Sequence, residues 1–255
     1  MSHKTLISGT AYEVVGGAQM IDGTKFQMGG GKTILGGTGY DIPFSKGIPL
    51  STITPGAILY LNESGSPVPF YIAKHDYESG LNGTGRTLVV RKGWYSKSGI
   101  FSNISNSYED GSLDWALNYT YKGKLDENIQ GILGPTSIKY TNADKELSTM
   151  QRYVFQLSIT ELCGAVTNSN AEGSMLPIAS TLFVNYDTSG SYPVQWTRSP
   201  VISGNRYVFA VGAPTGAVFN GYLYNDTGNY SRPAFTLPAT TAVTPNADGT
   251  YTLAA

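Results

Sequence analysis

Cysteine is almost absent from this 255-residue chain: Cys163 stands alone, which excludes an intrachain disulfide. Histidine is nearly as scarce, with only His3 and His75, so a metal site built from Cys and His has too few ligands. Charged residues make up 14% of the chain, against about 25% in an average protein. Seventeen Lys and Arg against 18 Asp and Glu leave a net charge of −1, which provides no basic footprint for nucleic acid or for an anionic membrane. Long apolar runs are missing as well. No stretch reaches the ~18 apolar residues of a membrane span, and the opening MSHKTLISGTAYEVV lacks the roughly 7–15-residue apolar core of an export signal. The expectation is a protein made in a cytosol, with no nucleic-acid partner and no membrane insertion.

Catalytic signatures are equally thin. Neither a G-x-S-x-G elbow nor an HExxH helix occurs, and His75 sits in a tyrosine-rich strand with no nucleophile at useful spacing. The carboxylate pairs Glu109–Asp110 and Asp126–Glu127 read as helix-start residues favoured by the macrodipole. Cys163 lies in an apolar run and reads as an inert buried thiol. No catalytic residue, metal or cofactor is expected.

What the chain does contain is glycine, 31 residues, and tyrosine, 18. The segment GGGKTILGGTG at 29–39 resembles a phosphate-binding loop, but the first glycine of that pattern falls at Phe26 and the motif fails. Register alignment explains it better. KTLISGTAYEVVGG, AQMIDGTKFQMGGG and KTILGGTGYDIPFS follow one another from Lys4 with a repeat of 14 residues. Gly9, Gly23 and Gly37 align, then Thr10, Thr24 and Thr38, then Tyr12, Phe26 and Tyr40, with Val14, Met28 and Ile42 two residues later. Period-2 alternation of this kind marks short strand pairs turned at glycine. Three such units have too little chain to cover their own apolar face, so shielding by sister subunits in a homotrimer is expected.

Beyond a turn-rich connector at 45–56, the chain reads as strands at AILYL, VPFYIAKHDY and RTLVVRKGWY. Leu113, Ala116 and Leu117 then carry helical spacing behind a cap at Asp110 or Ser112. Ile129, Ile132 and Leu133 repeat it behind Asp126, with Pro135 as the stop. YVFQLSITELCG reads as a strand entering a short helix, with Ser158 and Glu161 as a capping box and Gly164 as its end. VQWTRSP, RYVFAVG, AVFNGYLYN and SRPAFTLP are short strands. The fold class expected is α+β and β-rich, with residues 1–47 as one unit and 48–255 as another.

Trp196, Arg198 and Ser199 in QWTRSP, followed by Arg232, Pro233, Ala234 and Phe235 in SRPAF, resemble a bacterial and phage domain of uncharacterised function related to the C-type lectin-like and formylglycine-generating-enzyme-like folds. The likeness covers about residues 52–240. The 14-residue repeats look like the β-prism that begins phage receptor-binding proteins of the tropism-determinant type, which are trimeric with a lectin-like tip. The resemblance implies a phage tail or prophage adhesin, located in the virion. Its N-terminal β-prism would attach to other tail proteins, and its C-type lectin-like domain would recognise a bacterial surface glycan or protein. It also implies closing loops of a kind that a diversity-generating retroelement can vary.

The adaptable, Tyr- and Asn-rich segment falls at Asn205, Arg206, Tyr207, Phe219, Asn220, Tyr222, Tyr224, Asn225, Asp226, Asn229 and Tyr230, the expected ligand-binding residues. Alternation in FNGYLYND would set Asn220, Tyr222 and Tyr224 on one face and Phe219, Leu223 and Asn225 on the other. Trp196 and Arg198 read as structural. Two alternatives stay open: a tail enzyme that degrades surface polysaccharide, and a structural tail-fibre subunit with no receptor role.

Overall fold

The computed structural model describes residues 47–97, 99–109, 111–183 and 193–254 and, before them, the backbone of the strands lying between 3 and 42. Those first strands are β1 (His3–Ile7), β2 (Thr10–Val15), β3 (Ala18–Ile21), β4 (Thr24–Gln27), β5 (Gly31–Leu35) and β6 (Thr38–Ile42). Every repeat is one hairpin in one register: Ile7 faces Thr10, Ile21 faces Thr24 and Leu35 faces Thr38. Two residues separate each facing pair, the spacing of the tightest hairpin connections. β2 also pairs with β3, which joins the first two hairpins into a four-stranded sheet. The aromatic and polar faces expected of these strands concern side chains outside the described residues.

The rest of the protein is β-rich with few helices, 37% strand and 18% helix overall, and its sheet curls as a half-barrel. β7 (Ile48–Pro49), β8 (Ile58–Glu63), β9 (Ser66–Lys74) and β10 (Arg86–Arg91) come first, then a short β11 (Ser96–Lys97). After the helical segment stand β12 (Thr136–Thr141), β13 (Leu147–Arg152) and β14 (Phe155–Gln156). The last stretch holds β15 (Val194–Pro200), β16 (Tyr207–Gly212), β17 (Ala217–Leu223), β18 (Tyr230–Ser231), β19 (Pro233–Pro238), β20 (Ala242–Pro245) and β21 (Tyr251–Leu253).

An eight-stranded sheet runs β14-β19-β10-β9-β8-β21-β20-β7, so strands from both ends of this region meet in it. β21 lies parallel to β8, and β20 pairs with β7. Ile48 and Pro49, read from sequence as part of a connector, thus form an edge strand, and Leu50 and Ile53 just after it are buried. The central strands are apolar on both faces: Leu88, Val89 and Val90 of β10 and Ala234, Phe235 and Leu237 of β19 are fully buried. Phe70 meets Phe235 edge to face at 5.4 Å, a favoured aromatic geometry. A second sheet, β11-β18-β15-β16-β17, carries the Trp-x-Arg-Ser strand at its centre and leaves β17 at its edge. β12 and β13 form a separate hairpin.

The first of the two helices expected between 110 and 135 differs from its expected form. It is a single turn, α1 (Ser112–Trp115), continuing as a π-helical stretch, Ala116–Tyr121. Its N-cap is Gly111, with no side-chain cap bond, and Asp110 lies outside the described residues. α2 (Glu127–Ile132) does start at Asp126, yet the Asp126 carboxylate accepts a bond from the Gly65 amide at 3.0 Å and does not cap its own helix. The capping box is present at α3 (Ile159–Cys163). The Glu161 amide donates to Ser158 Oγ at 3.1 Å, and the Ser158 amide donates to Glu161 Oε2 at 2.8 Å. Gly164 closes this helix at φ +78°, a conformation that suits glycine because it has no Cβ.

Candidate functional site

β15 is buried along its whole length, and this burial dictates what its polar residues do. Trp196 is wholly enclosed, with its ring edge-on to Phe101 at 5.7 Å. Arg198 is wholly enclosed too. Its guanidinium donates to Glu161 Oε2 (2.7 Å) and to the carbonyls of Lys139 (2.7 Å), Gln156 (3.0 Å) and Glu172 (2.8 Å). A buried charge is tolerable only when paired and hydrogen-bonded in this way. Burial opposes the charge of Arg198, but the neighbouring Glu161 outweighs it and holds the guanidinium protonated above its usual range. Tyr77 donates to the other Glu161 oxygen at 2.5 Å. Burial first, and the Glu161 charge second, hold its hydroxyl well above the usual phenol range. Ser199 accepts from the Ile159 amide at 2.9 Å and donates to Glu172. The Trp-x-Arg-Ser segment is therefore a structural knot that ties β15 to α3 and to β12.

This knot stiffens β16, which runs antiparallel to β15 and is buried from Val208 to Gly212. β16 in turn presents β17 at the sheet edge, where Ala217 through Gly221 are exposed. The register slips between Val208 and Ala210: Tyr222 faces Val208 while Phe219 faces Ala210. Three steps along β17 thus match two along β16, a bulge. A bulge interrupts alternation, and it overturns the expected division of faces. Phe219 and Tyr222 lie on the same side, their rings edge to face at 5.9 Å.

Of the sequence-predicted residues, Asn205, Arg206, Tyr207, Phe219, Asn220 and Asn225 are exposed, Tyr207 at 41% and Phe219 at 38%. They are brought together by the β16–β17 pairing, which sets Tyr207 opposite Leu223, and by the Tyr224 amide donating to the Arg206 carbonyl at 2.9 Å. Tyr222 and Tyr224 are half-buried against the core, and the Tyr222 ring meets Trp196 edge-on at 6.0 Å. They act more as supports than as an open platform. Asp226 is committed to its own turn, accepting from the Leu223 amide at 2.7 Å. Tyr230 is half-buried and stacked on Trp94 at 4.2 Å. Asn229 is 4% exposed and lies in the interior. The sequence carries the chemistry of this rim, but burial comes from packing with strands distant in the chain.

The other reactive groups are engaged in the fold. His75 is bonded through both ring nitrogens, Nδ1 to Thr87 Oγ1 at 2.9 Å and Nε2 to the Ile53 carbonyl at 2.7 Å. Cys163 is only half-buried, short of the full burial read from its apolar run, and burial pushes its thiol up to about 11. Burial likewise pushes the Glu172 carboxyl up to about 7, against the opposing pull of Arg198 and the Ser199 hydrogen bond. Among the described residues no three His, Cys, Asp or Glu side chains gather as metal ligands, and no helix is long and apolar enough to cross a membrane.

A family model described as Domain of unknown function (DUF6273) matches residues 84–239, more than half of the chain and the span from β10 through β19. Comparison with curated proteins and with solved structures gives no match.

Proposed function

The chain belongs to the Domain of unknown function (DUF6273) family, and we propose that this member is a receptor-binding adhesin of a phage tail or prophage. In this reading the N-terminal hairpins form a trimeric β-prism that attaches to other tail proteins. The remainder is a C-type lectin-like unit that engages a bacterial surface ligand. The repetition of one hairpin register three times supports the prism, because identical units stack most simply on copies of themselves. The pairing of first and last strands, β7 with β20 and β8 with β21, supports the lectin-like unit.

One observation carries the binding role. Exposed Phe219 and Asn220 sit on the bulged edge strand β17, with Asn205, Arg206 and Tyr207 at the start of β16 and Asn225 just past the end of β17 beside them, and β15 and β16, both almost fully buried, stand behind. Rings and amides held on a rigid support lose little entropy on binding. Three copies on one trimer would multiply a weak single-site affinity.

The test is attachment of the purified chain to a panel of bacterial cells. Tyr207→Ala combined with Phe219→Ala should cut attachment at least tenfold, the cost of losing two interface anchors, while the circular dichroism spectrum stays unchanged. Mass in solution should correspond to three chains. Attachment that survives both substitutions would instead favour a tail-fibre subunit without a receptor role, and a monomer would remove the prism.

A further inference from the structure

A second surface lies where the π-helical stretch faces the turn between β13 and β14. Trp115 is 58% exposed and Tyr119 69% exposed, with their rings stacked 5.4 Å apart at 25°. They are the outer members of a segment whose inner face, Leu113, Leu117 and Tyr121, is buried. Tyr153, 37% exposed, stands across from them, and Lys122 Nζ lies 3.9 Å from the centre of its ring. Between the two sides runs a groove of about 390 Å³, lined also by Asn118 and Gln151, a volume within the usual range for small-molecule sites.

The groove is stiff. Asn118 clamps its walls together, donating to the Val154 carbonyl at 2.8 Å and accepting from the Tyr153 amide at 3.0 Å. Arg152 and Asp114 form a close ion pair at its side, 2.8 Å. Their charges offset each other, so the lysine supplies the net charge of the lining, +1. Lys122 has no carboxylate partner among the described residues. π-Helical turns of this kind recur at functional sites.

We propose that this groove binds an acidic saccharide. The apolar face of a pyranose ring would lie on Trp115 and Tyr119, its hydroxyls would meet Gln151 and the Asp114–Arg152 pair, and its carboxylate would face Lys122. Stacked rings with most of their area in water offer what a sugar's C–H face needs. The positive charge of the groove selects against an uncharged sugar and against a cationic peptide. The site shares no residue with the β16–β17 rim and stands independently of the adhesin reading.

The experiment titrates the full chain with short oligogalacturonates and sialylated lactose, beside maltotetraose and lactose as uncharged counterparts, read by calorimetry and tryptophan fluorescence. Of the three tryptophans, Trp115 is exposed, Trp94 half-buried and Trp196 enclosed, so the emission change that disappears in Trp115→Ala reports occupancy. Acidic members should bind, more weakly as salt rises. Trp115→Ala and Tyr119→Ala should each weaken binding at least tenfold and Lys122→Gln several-fold, with the thermal midpoint unmoved. Tyr207→Ala should leave this titration unchanged, which separates it from cell attachment through the rim. Absence of saturable binding across the acidic panel, equal binding of the uncharged sugars, or binding indifferent to Trp115→Ala would each overturn the assignment.

Discussion

Glu172 links the stability of this protein to pH in a direction opposite to that of most carboxylates. Its side chain is fully buried beside Ser199, and burial pushes its carboxyl from 4.5 up to about 7. A carboxyl whose folded value is raised binds its proton more tightly in the native state than in the unfolded one. Its stabilisation is therefore complete below about pH 4.5 and is lost as pH rises through about 7. The displacement is about 2.5 pH units, and at about 1.36 kcal/mol per unit the loss is about 3 kcal/mol. Replacing Glu172 by Gln keeps an oxygen that accepts from Ser199 and removes the titration. Urea unfolding of both forms at pH 4.5, 6 and 7.5 isolates the effect as the difference between their pH profiles, because every other titrating group is common to both. Wild type should lose about 3 kcal/mol relative to Glu172→Gln across that window. Parallel profiles, or a wild type that gains on the variant as pH rises, would refute the argument and place the carboxyl in contact with water.

Arg198→Leu leaves Glu161 buried without its partner and should destabilise the protein by about 3–5 kcal/mol, seen as a lower urea midpoint. Arg198→Lys should rescue little, because one ammonium cannot meet the four acceptors that the guanidinium spans. Ser158→Ala removes the cap of α3 and should cost about 0.5–2 kcal/mol on the same measure. Cys163, with its thiol pushed up to about 11, should alkylate with iodoacetamide far more slowly than an unfolded control at pH 7.5, since the thiolate is the nucleophile. Equal rates would show the thiol to be open to water.

Legibility differed from element to element. The capping box at Ser158 and Glu161 was readable because both partners lie within four residues and the bonds are local. The hairpin in each repeat was readable because glycine spacing and alternation are also local signals. The β12–β13 hairpin was not anticipated: TSIKYTNADKELSTMQR is largely polar, and it pairs without a strong apolar stripe. The cap of α1 was misplaced because Gly111 offers no side-chain signature. Of the rim, the sequence indicated the residue types, but the bulge at β17 that regroups Phe219 with Tyr222 had no visible mark except Gly221. Trp115 and Tyr119, spaced i, i+4 opposite Leu113 and Leu117, carry a legible signal, because burial of one face of that segment leaves the other to water.

By itself the sequence determined local matters: where glycines turn the chain, which short stretches alternate as strands, which helix begins at a cap, and that a single cysteine leaves no intrachain disulfide. Those depend on neighbours a few positions apart, and the amino-acid types suffice. Tertiary structure decided which polar residues are structural and which face water. Arg198 is enclosed by partners 26 to 59 residues away, while Tyr207 and Trp115 remain open. Exposure depends on which distant strands come to lie overhead, and the contacts that fix it are written nowhere within a single stretch of chain.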